Sequence, residues 1–504
     1  MAEFFISTPI YYVNDVPHLG HAYSTINADA FARWHRGLGD KVYFLTGTDE
    51  YGQKVAESAQ RAAMPVDVWT NMYAERFEST WKLLLISYDD FIRTTQDRHR
   101  IAVRKFLQAL YDNGYIYLGK YNGSYCVSCE AYYSNNDAPD GICPVHKKRL
   151  VQMEEENYFF RLSFFQDALL KWYGDVPDAV IPDFRRNEAF AFIKSGLEDV
   201  SISRTSLSWG ISLPWDEGHV CYVWFDALVN YLTGIGYGNE DASFEAFWAN
   251  SHHVLGKDII RFHCVWWPAM CMAAGLEPPS KLLVHGWLLV RGEKMAKSGG
   301  NGVDPSDLVA TYGADTVRYF LLREYVLGSD GDFSLEAIEA RYDTDLANNI
   351  GNLVSRVTNV VEKSLGGVTP KWSGQAIKPD VLAQFVSRAT SAWTNFNSSK
   401  ALEEVQGLVK ATNAMLEDRA PWKSSDSYEL QQILGDALTV LQIVAILVSP
   451  ALVEASVKIL DAIGVDAKSA LNDFSLYLEP QSYVGGSVIS KAAPLFPRLK
   501  AIRA

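Results

Sequence analysis

Two histidines flank a glycine near the start of the chain, in the pattern His18-Leu19-Gly20-His21. The apolar run at residues 4–12 predicts a buried parallel strand before it, and apolar residues at four-residue steps predict a helix after it. A strand–turn–helix unit presents backbone N–H groups and a positive helix end to an anion. Gly20 allows close approach of the backbone, and both histidines can donate to phosphate oxygens. The pattern is compatible with a nucleotide phosphate site, but alone it is more typical of a strand–turn–helix with two incidental surface histidines.

A second pattern, KMAKS from Lys294 to Ser298, follows another strand-like run. Glycines lie on both sides of it, so we predict a mobile loop. Such a loop can fold Lys294 and Lys297 over a reacting triphosphate and release the product afterwards. Alone, the segment is typical of a solvated charged turn. Taken together, the two patterns predict two halves of one ATP site.

The two patterns resemble the motifs written HIGH and KMSKS in the class I aminoacyl-tRNA synthetases. Further details resemble the methionyl-tRNA synthetase family of that class, over essentially the whole chain. Leu19 is a common variation, whereas Ala296 replaces the central serine and leaves both lysines and Ser298, so we expect at most a tuning of loop closure. The resemblance implies that ATP, with Mg²⁺, activates methionine as an adenylate, which then esterifies its tRNA.

Composition limits the class of protein. A chain of 504 residues with 48% hydrophobic residues can form two or three domains with ample cores. The net charge of −14 argues against a general polyanion binder, but it permits a local basic surface for tRNA. The first strand begins close to the N-terminus, and we find no apolar run of membrane-spanning length. We therefore predict a cytoplasmic protein with no membrane partner, and a monomer because the chain ends soon after its last helices.

Four residues have the spacing of zinc ligands: Cys126 and Cys129 form one C-x₂-C pair, and Cys143 and His146 follow with the same separation. Each pair can bend around one side of a tetrahedral ion. Four protein ligands leave no open position, so the predicted Zn²⁺ is structural. The resembled family carries such a knuckle in an insertion, here as a single knuckle. The other cysteines lie in apolar runs and are predicted to be buried thiols.

The pattern of elements predicts an α/β fold. A doubly wound Rossmann-type catalytic domain is split by a zinc-knuckle insertion and followed by an all-α helical bundle. Strand character returns at Val220–Phe225, and the nearly apolar stretch Leu430–Val448 predicts a central helix. The predicted segments are residues 1–115 and 219–325 for the catalytic halves, 116–218 for the insertion, 326–345 for a linker that contacts the tRNA stem, and 346–504 for the α-helical anticodon-binding domain.

The resemblance also assigns substrate contacts. The first step needs no protein nucleophile, so the catalytic residues His18, His21, Lys294 and Lys297 would position and stabilise the phosphates. Asp49 matches the carboxylate that binds the methionine ammonium group, and Tyr51 departs from the histidine usual beside it. The ATP-binding positions are Gly20, His21, Lys257, Asp258 and Lys297.

Methionine is unbranched and polarisable, so a selective pocket should offer aromatic faces and one donor to its sulfur. The matching positions include the run from Trp224 to Tyr231, where the similarity is strongest. Without the family, these residues would be typical of core packing. The predicted pocket consists of Ile10, Tyr12, Trp224, Leu228, Tyr231, Ile259 and His263.

Three residues in the helical region match the anticodon-reading positions of the family. Asn352 and Arg356 are four residues apart, on one helix face, and Trp422 follows a proline. Arginine and asparagine can bond splayed base edges, and tryptophan can stack on an unpaired base. The alternatives are an ordinary solvated face and an anchor at a helix start.

Other functions remain open from the residues alone. A synthetase for a branched aliphatic amino acid would carry a far larger editing insertion. A synthetase for cysteine would use zinc to bind its substrate, whereas the four ligands here form a closed set. A small-molecule nucleotidyltransferase would lack the helical C-terminal region. An inactive RNA-binding paralogue would not need His18, His21, Lys294 and Lys297 intact.

Overall fold

The computed structural model describes residues 2–126, 131–133, 138, 140–144, 147–205, 207–238, 243–295 and 302–499. The strands are β1 (Glu3–Ser7), β2 (Tyr11–Tyr12), β3 (Lys41–Asp49), β4 (Asp90–Arg93), β5 (Ile116–Cys126), β6 (Ala131–Tyr133), β7 (Val151–Phe160), β8 (Val180–Ile181), β9 (Val200–Ser201), β10 (Ser203–Arg204), β11 (Val220–Cys221), β12 (Ser251–Gly256), β13 (Lys281–His285), β14 (Leu288–Val290), β15 (Glu293–Lys294) and β16 (Gly331–Asp332).

The α-helices are α1 (Leu19–Gly37), α2 (Gln53–Arg61), α3 (Val66–Leu83), α4 (Asp97–Asp112), α5 (Gln166–Asp175), α6 (Asp183–Lys194), α7 (Val223–Ala227), α8 (Asn230–Gly234), α9 (Ser243–Trp248), α10 (Trp267–Ala273), α11 (Pro305–Tyr312), α12 (Ala314–Glu324), α13 (Leu335–Arg341), α14 (Asn352–Leu365), α15 (Pro379–Thr394), α16 (Ser398–Arg419), α17 (Ser427–Val448), α18 (Val453–Ala462), α19 (Ala467–Asn472) and α20 (Phe474–Tyr477). Short 3₁₀ segments lie at Leu162–Phe165, Lys257–Ile259, Pro421–Lys423 and Pro480–Ser482, and π-helical segments at Phe262–Trp266 and Tyr342–Gly351.

A parallel sheet forms the centre of the N-terminal part of the molecule. Within the described residues it has seven strands in the order β2-β3-β1-β12-β13-β8, with β4 also paired to β3. The chain runs from β1 to β3 on one side, and β12 and β13 extend the sheet on the other side. Ligands of open α/β sheets bind in the crevice that such a switch of strand order creates at the carboxyl ends. The helix α1 begins beside this crevice.

Two details of the sheet differ from the sequence-based expectation. We predicted a strand through Val220–Phe225, but strand β11 covers only Val220–Cys221 and pairs with β10 outside the parallel sheet. Helix α7 then begins at Val223, because packing of Val223 and Phe225 into the core outweighs their strand preference. The predicted insertion also contributes β8, which pairs in parallel with β13.

The C-terminal part is helical from α13 onward over the residues that the structure describes. Helix α17 packs against α14, α15, α16 and α18, and its side chains from Ile433 to Val448 are buried. We found no membrane-length apolar run in the sequence, and this was wrong. Ser427–Val448 is long and apolar enough to cross a membrane, with a mean hydropathy of 1.7. The most apolar 18 residues of this helix are 89% buried inside the protein, so the helix has the surroundings of a core helix.

Candidate active site

The first motif caps helix α1 with its own histidines. Nδ1 of His18 accepts from the backbone N–H of Gly20 at 3.1 Å, and Nδ1 of His21 accepts from the backbone N–H of His18 at 3.3 Å. The two rings stack with centroids 3.7 Å apart. An acceptor Nδ1 places the hydrogen of a neutral imidazole on Nε2, as donation to a phosphate oxygen requires. A Cβ atom at Gly20 would lie 2.9 Å from the His18 ring, so the motif needs glycine there.

The second motif brings its first lysine to Asp258. Nζ of Lys294 lies 2.9 Å from Oδ2 of Asp258, and the two side chains are each 37% exposed. Burial acts to raise the pKa of Asp258, but the charge and hydrogen bond of Lys294 hold it below its ordinary value. Lys297 lies outside the described residues, with the rest of residues 296–301. The described start of the predicted loop differs from the expectation, because Glu293–Lys294 form strand β15, which pairs with β14. The structure thus joins two predicted site residues from separate segments.

A tryptophan and an aspartate complete this side of the crevice, and the sequence analysis missed both. Nζ of Lys257 lies 4.1 Å from the ring centroid of Trp287, and Nζ of Lys294 lies 4.5 Å from the same ring. Lys257 also forms an ion pair with Asp330 at 2.6 Å. One indole ring therefore contacts the ammonium groups of both lysines.

His285 connects the two sides of the site and was also missed. Its Nε2 accepts from the hydroxyl of Ser24 on α1 at 2.6 Å, because its Nδ1 donates to the carbonyl of Gly286 at 2.7 Å. A Cβ atom on Gly256 would meet Asp258 Oδ1 at 2.6 Å and the His285 ring at 3.5 Å. The position of His285 at the carboxyl end of β13 could have identified it.

Aromatic rings line the predicted methionine pocket. The indole of Trp224 stacks on Phe262 with centroids 3.8 Å apart and an angle of 5° between the planes. Tyr12 meets the same indole edge-on at 6.4 Å. Phe262 is a further residue that the sequence analysis missed, although it precedes a predicted pocket residue. The three aliphatic positions pack with the same core: Ile10 and Ile259 are partly buried, and Leu228 is buried.

A histidine and a tyrosine give the pocket a polar end. The hydroxyl of Tyr231 donates to Nε2 of His263 at 2.8 Å, and Nδ1 of His263 donates to the carbonyl of Ile259 at 3.2 Å. Burial lowers the pKa of His263 to about 4, so the imidazole is neutral at physiological pH. The structure brings these three predicted residues together.

Asp49 is the last residue of strand β3, and the two residues that follow it form hydrogen bonds with side chains from other segments. Glu50 is fully buried and accepts from Arg93 Nε at 2.6 Å, and its carbonyl accepts from the indole of Trp209 at 2.7 Å. The hydroxyl of Tyr51 accepts from Arg100 Nε at 3.1 Å. The tyrosine that departs from the family pattern therefore has its own partner.

Two of the four predicted zinc ligands lie in the described residues. Cys126 ends strand β5 and Cys143 precedes a turn in which its backbone N–H donates to the carbonyl of Lys148 at 2.8 Å; both cysteine side chains are buried. Within that part of the chain, no three His, Cys, Asp or Glu side chains are placed to hold a metal. Cys129 and His146 lie outside it, so the zinc site stays a prediction.

The predicted anticodon residues share one face of the helical region. Asn352 and Arg356 lie on helix α14. The guanidinium of Arg356 lies 4.8 Å from the ring centroid of Trp422 and pairs with Glu417 at 3.2 Å. Trp422 is 44% exposed, in a 3₁₀ turn that begins after Ala420. An exposed indole with a cation on its face offers a stacking surface beside a hydrogen-bond donor.

The chain is similar to known proteins over nearly its whole length. The family model described as tRNA synthetases class I (M) matches residues 4–153 and 140–358. The methionine--tRNA ligase of Streptomyces coelicolor is 42% identical over 99% of this chain and 97% of its own length. The methionine--tRNA ligase of Rickettsia felis is 40% identical over 99% of this chain and 98% of its own length.

Solved structures resemble the fold over its whole length. The Mycobacterium tuberculosis methionyl-tRNA synthetase in complex with methionyl-adenylate aligns with a TM-score of 0.92 and 38% identity, over 99% of this chain and 100% of that chain. The apo form of the same enzyme aligns with a TM-score of 0.85 and 36% identity, over 99% of this chain and 98% of that chain. The likeness therefore extends through the catalytic sheet and the C-terminal helices.

Proposed function

Because the chain belongs to the class I tRNA synthetases, in the family of methionine--tRNA ligases, we propose the role of each residue at its site. The enzyme activates methionine with ATP as methionyl-adenylate and transfers it to tRNA. The observation that carries the assignment of the ATP site is the contact between its two halves. Ser24 on α1 bonds His285 at the end of β13. His285 lies near Gly256, the last residue of β12, and Asp258 follows two residues later and pairs with Lys294.

Activation begins when a carboxylate oxygen of methionine attacks the α-phosphorus of ATP, and the bond to the bridging oxygen breaks to release pyrophosphate. His18 and His21 would donate to phosphate oxygens from the N-terminus of α1. Lys294 and Lys297 would stabilise the charge that develops on the departing phosphates. Gly20 would let the backbone approach the phosphates, and Asp258 and Lys257 would contact the rest of the nucleotide.

Mg²⁺ bound to ATP would neutralise charge on the phosphates. The two described carboxylates at this edge, Asp258 and Asp330, are each paired with a lysine. We therefore expect most ligands of the Mg²⁺ ion to be phosphate oxygens of ATP, and not these two carboxylates.

The methionine side chain would lie among the aromatic and aliphatic pocket residues described above. Asp49 would pair with the ammonium group at the carboxyl end of β3. The hydrogen bond from Tyr231 fixes His263 with Nδ1–H toward Ile259, so Tyr231 and His263 form a neutral polar end suited to an uncharged thioether. Because this pair is neutral and already hydrogen-bonded within the protein, a charged side chain would lose its hydration there without gaining a partner. A shorter side chain would leave apolar surface of the pocket unfilled, so the pocket favours methionine over other amino acids.

Transfer to tRNA would depend on the C-terminal helices. Trp422 would stack on an anticodon base, with Asn352 and Arg356 bonding base edges, while residues 326–345 would contact the stem. We further propose that the enzyme acts in the cytoplasm as a monomer. We propose the domain boundaries given in the sequence analysis. The one exception is β8, which lies within the predicted insertion but pairs with β13 in the parallel sheet.

The predicted ligand set Cys126, Cys129, Cys143 and His146 would hold one structural Zn²⁺. Two buried thiols beside a polar, exposed turn fit this ion, since burial of apolar side chains contributes little order there. Zinc would order the tip of the insertion. Metal analysis should find about one zinc ion per chain in the purified protein. Cys143→Ser should lose it, whereas Cys221→Ser, at a buried cysteine of β11, should keep it. A metal-free protein with full activity and stability would contradict this proposal.

Methionine-dependent exchange of pyrophosphate into ATP tests the activation site directly. We expect exchange with methionine and none with cysteine, isoleucine or leucine. Leu228→Ala should raise the KM for methionine and leave the KM for ATP nearly unchanged. If Leu228→Ala changes neither constant, the proposed pocket is wrong.

A further inference from the structure

A buried histidine outside the proposed contacts joins two elements of the methionine pocket. His99 lies in the first turn of α4, and its side chain is fully buried. Its Nε2 lies 2.6 Å from Oδ1 of Asp226 in α7, and its Nδ1 lies 3.1 Å from the hydroxyl of Thr233 in α8. One imidazole therefore bridges two helices that follow each other in the chain.

These two helices are too short to hold their own orientation. Each has five residues, and isolated helices shorter than roughly 12 residues are unstable in water. Helix α7 carries Trp224 and α8 carries Tyr231, two residues of the proposed pocket. Their directions must be fixed by tertiary contacts, and the bridge through His99 is a directional polar contact between both helices and α4.

The hydrogen bonds determine where the hydrogens lie. The hydroxyl of Thr233 donates its single hydrogen to the carbonyl of Val229 at 3.0 Å, so it can only accept from His99. Nδ1 of His99 therefore carries a hydrogen. The short contact between Nε2 and Asp226 then requires one further hydrogen, shared between an imidazole and a carboxylate that are both buried. The pair is neutral overall in either arrangement, which suits its apolar surroundings.

The same turn of α4 reaches the other side of the substrate. Arg100 follows His99 and donates to the hydroxyl of Tyr51, two residues after Asp49. The start of α4 thus contacts both the segment that would hold the methionine ammonium group and the helices that would hold its side chain.

We propose that His99 is a positioning residue for methionine, because its imidazole sets the relative placement of Trp224 and Tyr231 through Asp226 and Thr233. This inference rests on the proposed pocket. His99 does not touch the substrate in this arrangement, so its loss changes the shape of the pocket and not the ATP site.

The test measures the KM for methionine and for ATP separately in pyrophosphate exchange, together with the melting temperature. His99→Ala should raise the KM for methionine about tenfold, as loss of a buried charged hydrogen bond does, with the KM for ATP within about twofold. Asp226→Asn should keep the KM for methionine within about threefold, because its amide can donate to Nε2.

A control on the same helix separates positioning from general destabilisation. Val103 lies one turn after His99 and is fully buried, so Val103→Ala should lower the melting temperature without changing the KM for methionine. An equal rise of the methionine KM in Val103→Ala and His99→Ala would overturn the inference, as would equal rises for both substrates in His99→Ala.

A milder variant keeps the inference testable if His99→Ala does not fold. Thr233→Val retains the side-chain shape and removes the acceptor for Nδ1, and it should raise the KM for methionine about threefold or more. Leu228→Ala, measured beside it, distinguishes the two proposals. If Leu228→Ala raises the methionine KM and Thr233→Val does not, His99 has no positioning role and the pocket stands. If neither variant does, the pocket itself is wrong.

Discussion

At the residue scale, the site depends on neutral histidines and paired lysines. The imidazoles of His18 and His21 use Nδ1 to accept backbone N–H groups, and this fixes which nitrogen carries a hydrogen. Lys294 meets Asp258 from another segment, with Trp287 beneath its ammonium group. The charges at the site are therefore arranged by contacts among side chains as much as by the motifs themselves.

Removal of one lysine should affect ATP far more than methionine. Lys294→Ala takes away a cation at the phosphates, and we expect kcat/KM for ATP in pyrophosphate exchange to fall on the order of 100-fold. The KM for methionine should change by less than about threefold. Glu293→Gln alters the exposed neighbour on the same strand and serves as the control. A similar loss in both variants would show that the strand, and not the lysine charge, matters.

At the element scale, helix α1 links the catalytic crevice to the C-terminal helices. Its first turn carries the histidines, whereas Trp34 near its other end stacks against Trp393 of α15 at 6.0 Å. In its middle, Asp29 forms a fully buried ion pair with Arg318 of α12. Burial acts to raise the pKa of Asp29, but the charges of Arg33 and Arg318 hold it below its ordinary value.

Breaking this buried pair should destabilise the protein strongly. Arg318 also donates to the carbonyls of Leu84 and Pro450, so Arg318→Met removes these two hydrogen bonds and leaves the buried carboxylate of Asp29 with Arg33 as its remaining counter-charge. We expect a loss of about 3–5 kcal/mol in the free energy of unfolding, measured by urea denaturation. Lys458→Ala removes an ion pair with Glu454 that is exposed on both sides, and it should cost less than about 1 kcal/mol. Equal losses would contradict the importance of burial.

The proposed anticodon surface lies on the C-terminal helices, and its loss should spare activation. Trp422→Ala removes the exposed indole beside Arg356, so charging of tRNA should weaken on the order of tenfold or more, because stacking on one base contributes roughly 1–3 kcal/mol. Pyrophosphate exchange should stay unchanged. Tyr428→Ala removes another exposed aromatic side chain, at the start of α17, and should affect neither reaction. Loss of exchange in Trp422→Ala would contradict the separation of the two activities.

At the scale of the whole molecule, buried histidines make stability depend on pH. His252 of β12 packs between Phe4 and Phe396, and so contributes to the contact between the sheet and the C-terminal helices. Burial, with a smaller effect of nearby His35, lowers its pKa to about 3. The unfolded chain binds a proton at this residue below about pH 6.5, and the folded chain does not.

Stability should therefore fall as the pH decreases from about 6.5 toward 4. His252→Gln removes one such group, so the slope of unfolding free energy against pH should decrease by up to about 1.4 kcal/mol per pH unit between about pH 6 and 4.5. Urea denaturation at several pH values measures this slope. An unchanged slope would mean that His252 takes up a proton in the folded state.

The family, the strand–turn–helix with His18 and His21 and the helical C-terminal region could all be predicted from the sequence. These depend on local patterns, because a motif keeps its spacing and an amphipathic helix keeps its period. The sequence also placed Asn352 and Arg356 on one helix face. The roles drawn from the resemblance and the zinc ligands remain predictions.

Which residues contact each other across the fold could not be predicted from the sequence. Ser24 and His285 are 261 positions apart, and no periodicity relates them. Helix α7 replaced a predicted strand because core packing of Val223 and Phe225 outweighed a local preference. The bridge from His99 to Asp226 likewise joins residues 127 positions apart. Such contacts arise when distant elements pack, so the physical cause lies in the whole fold and not in any one segment of the chain.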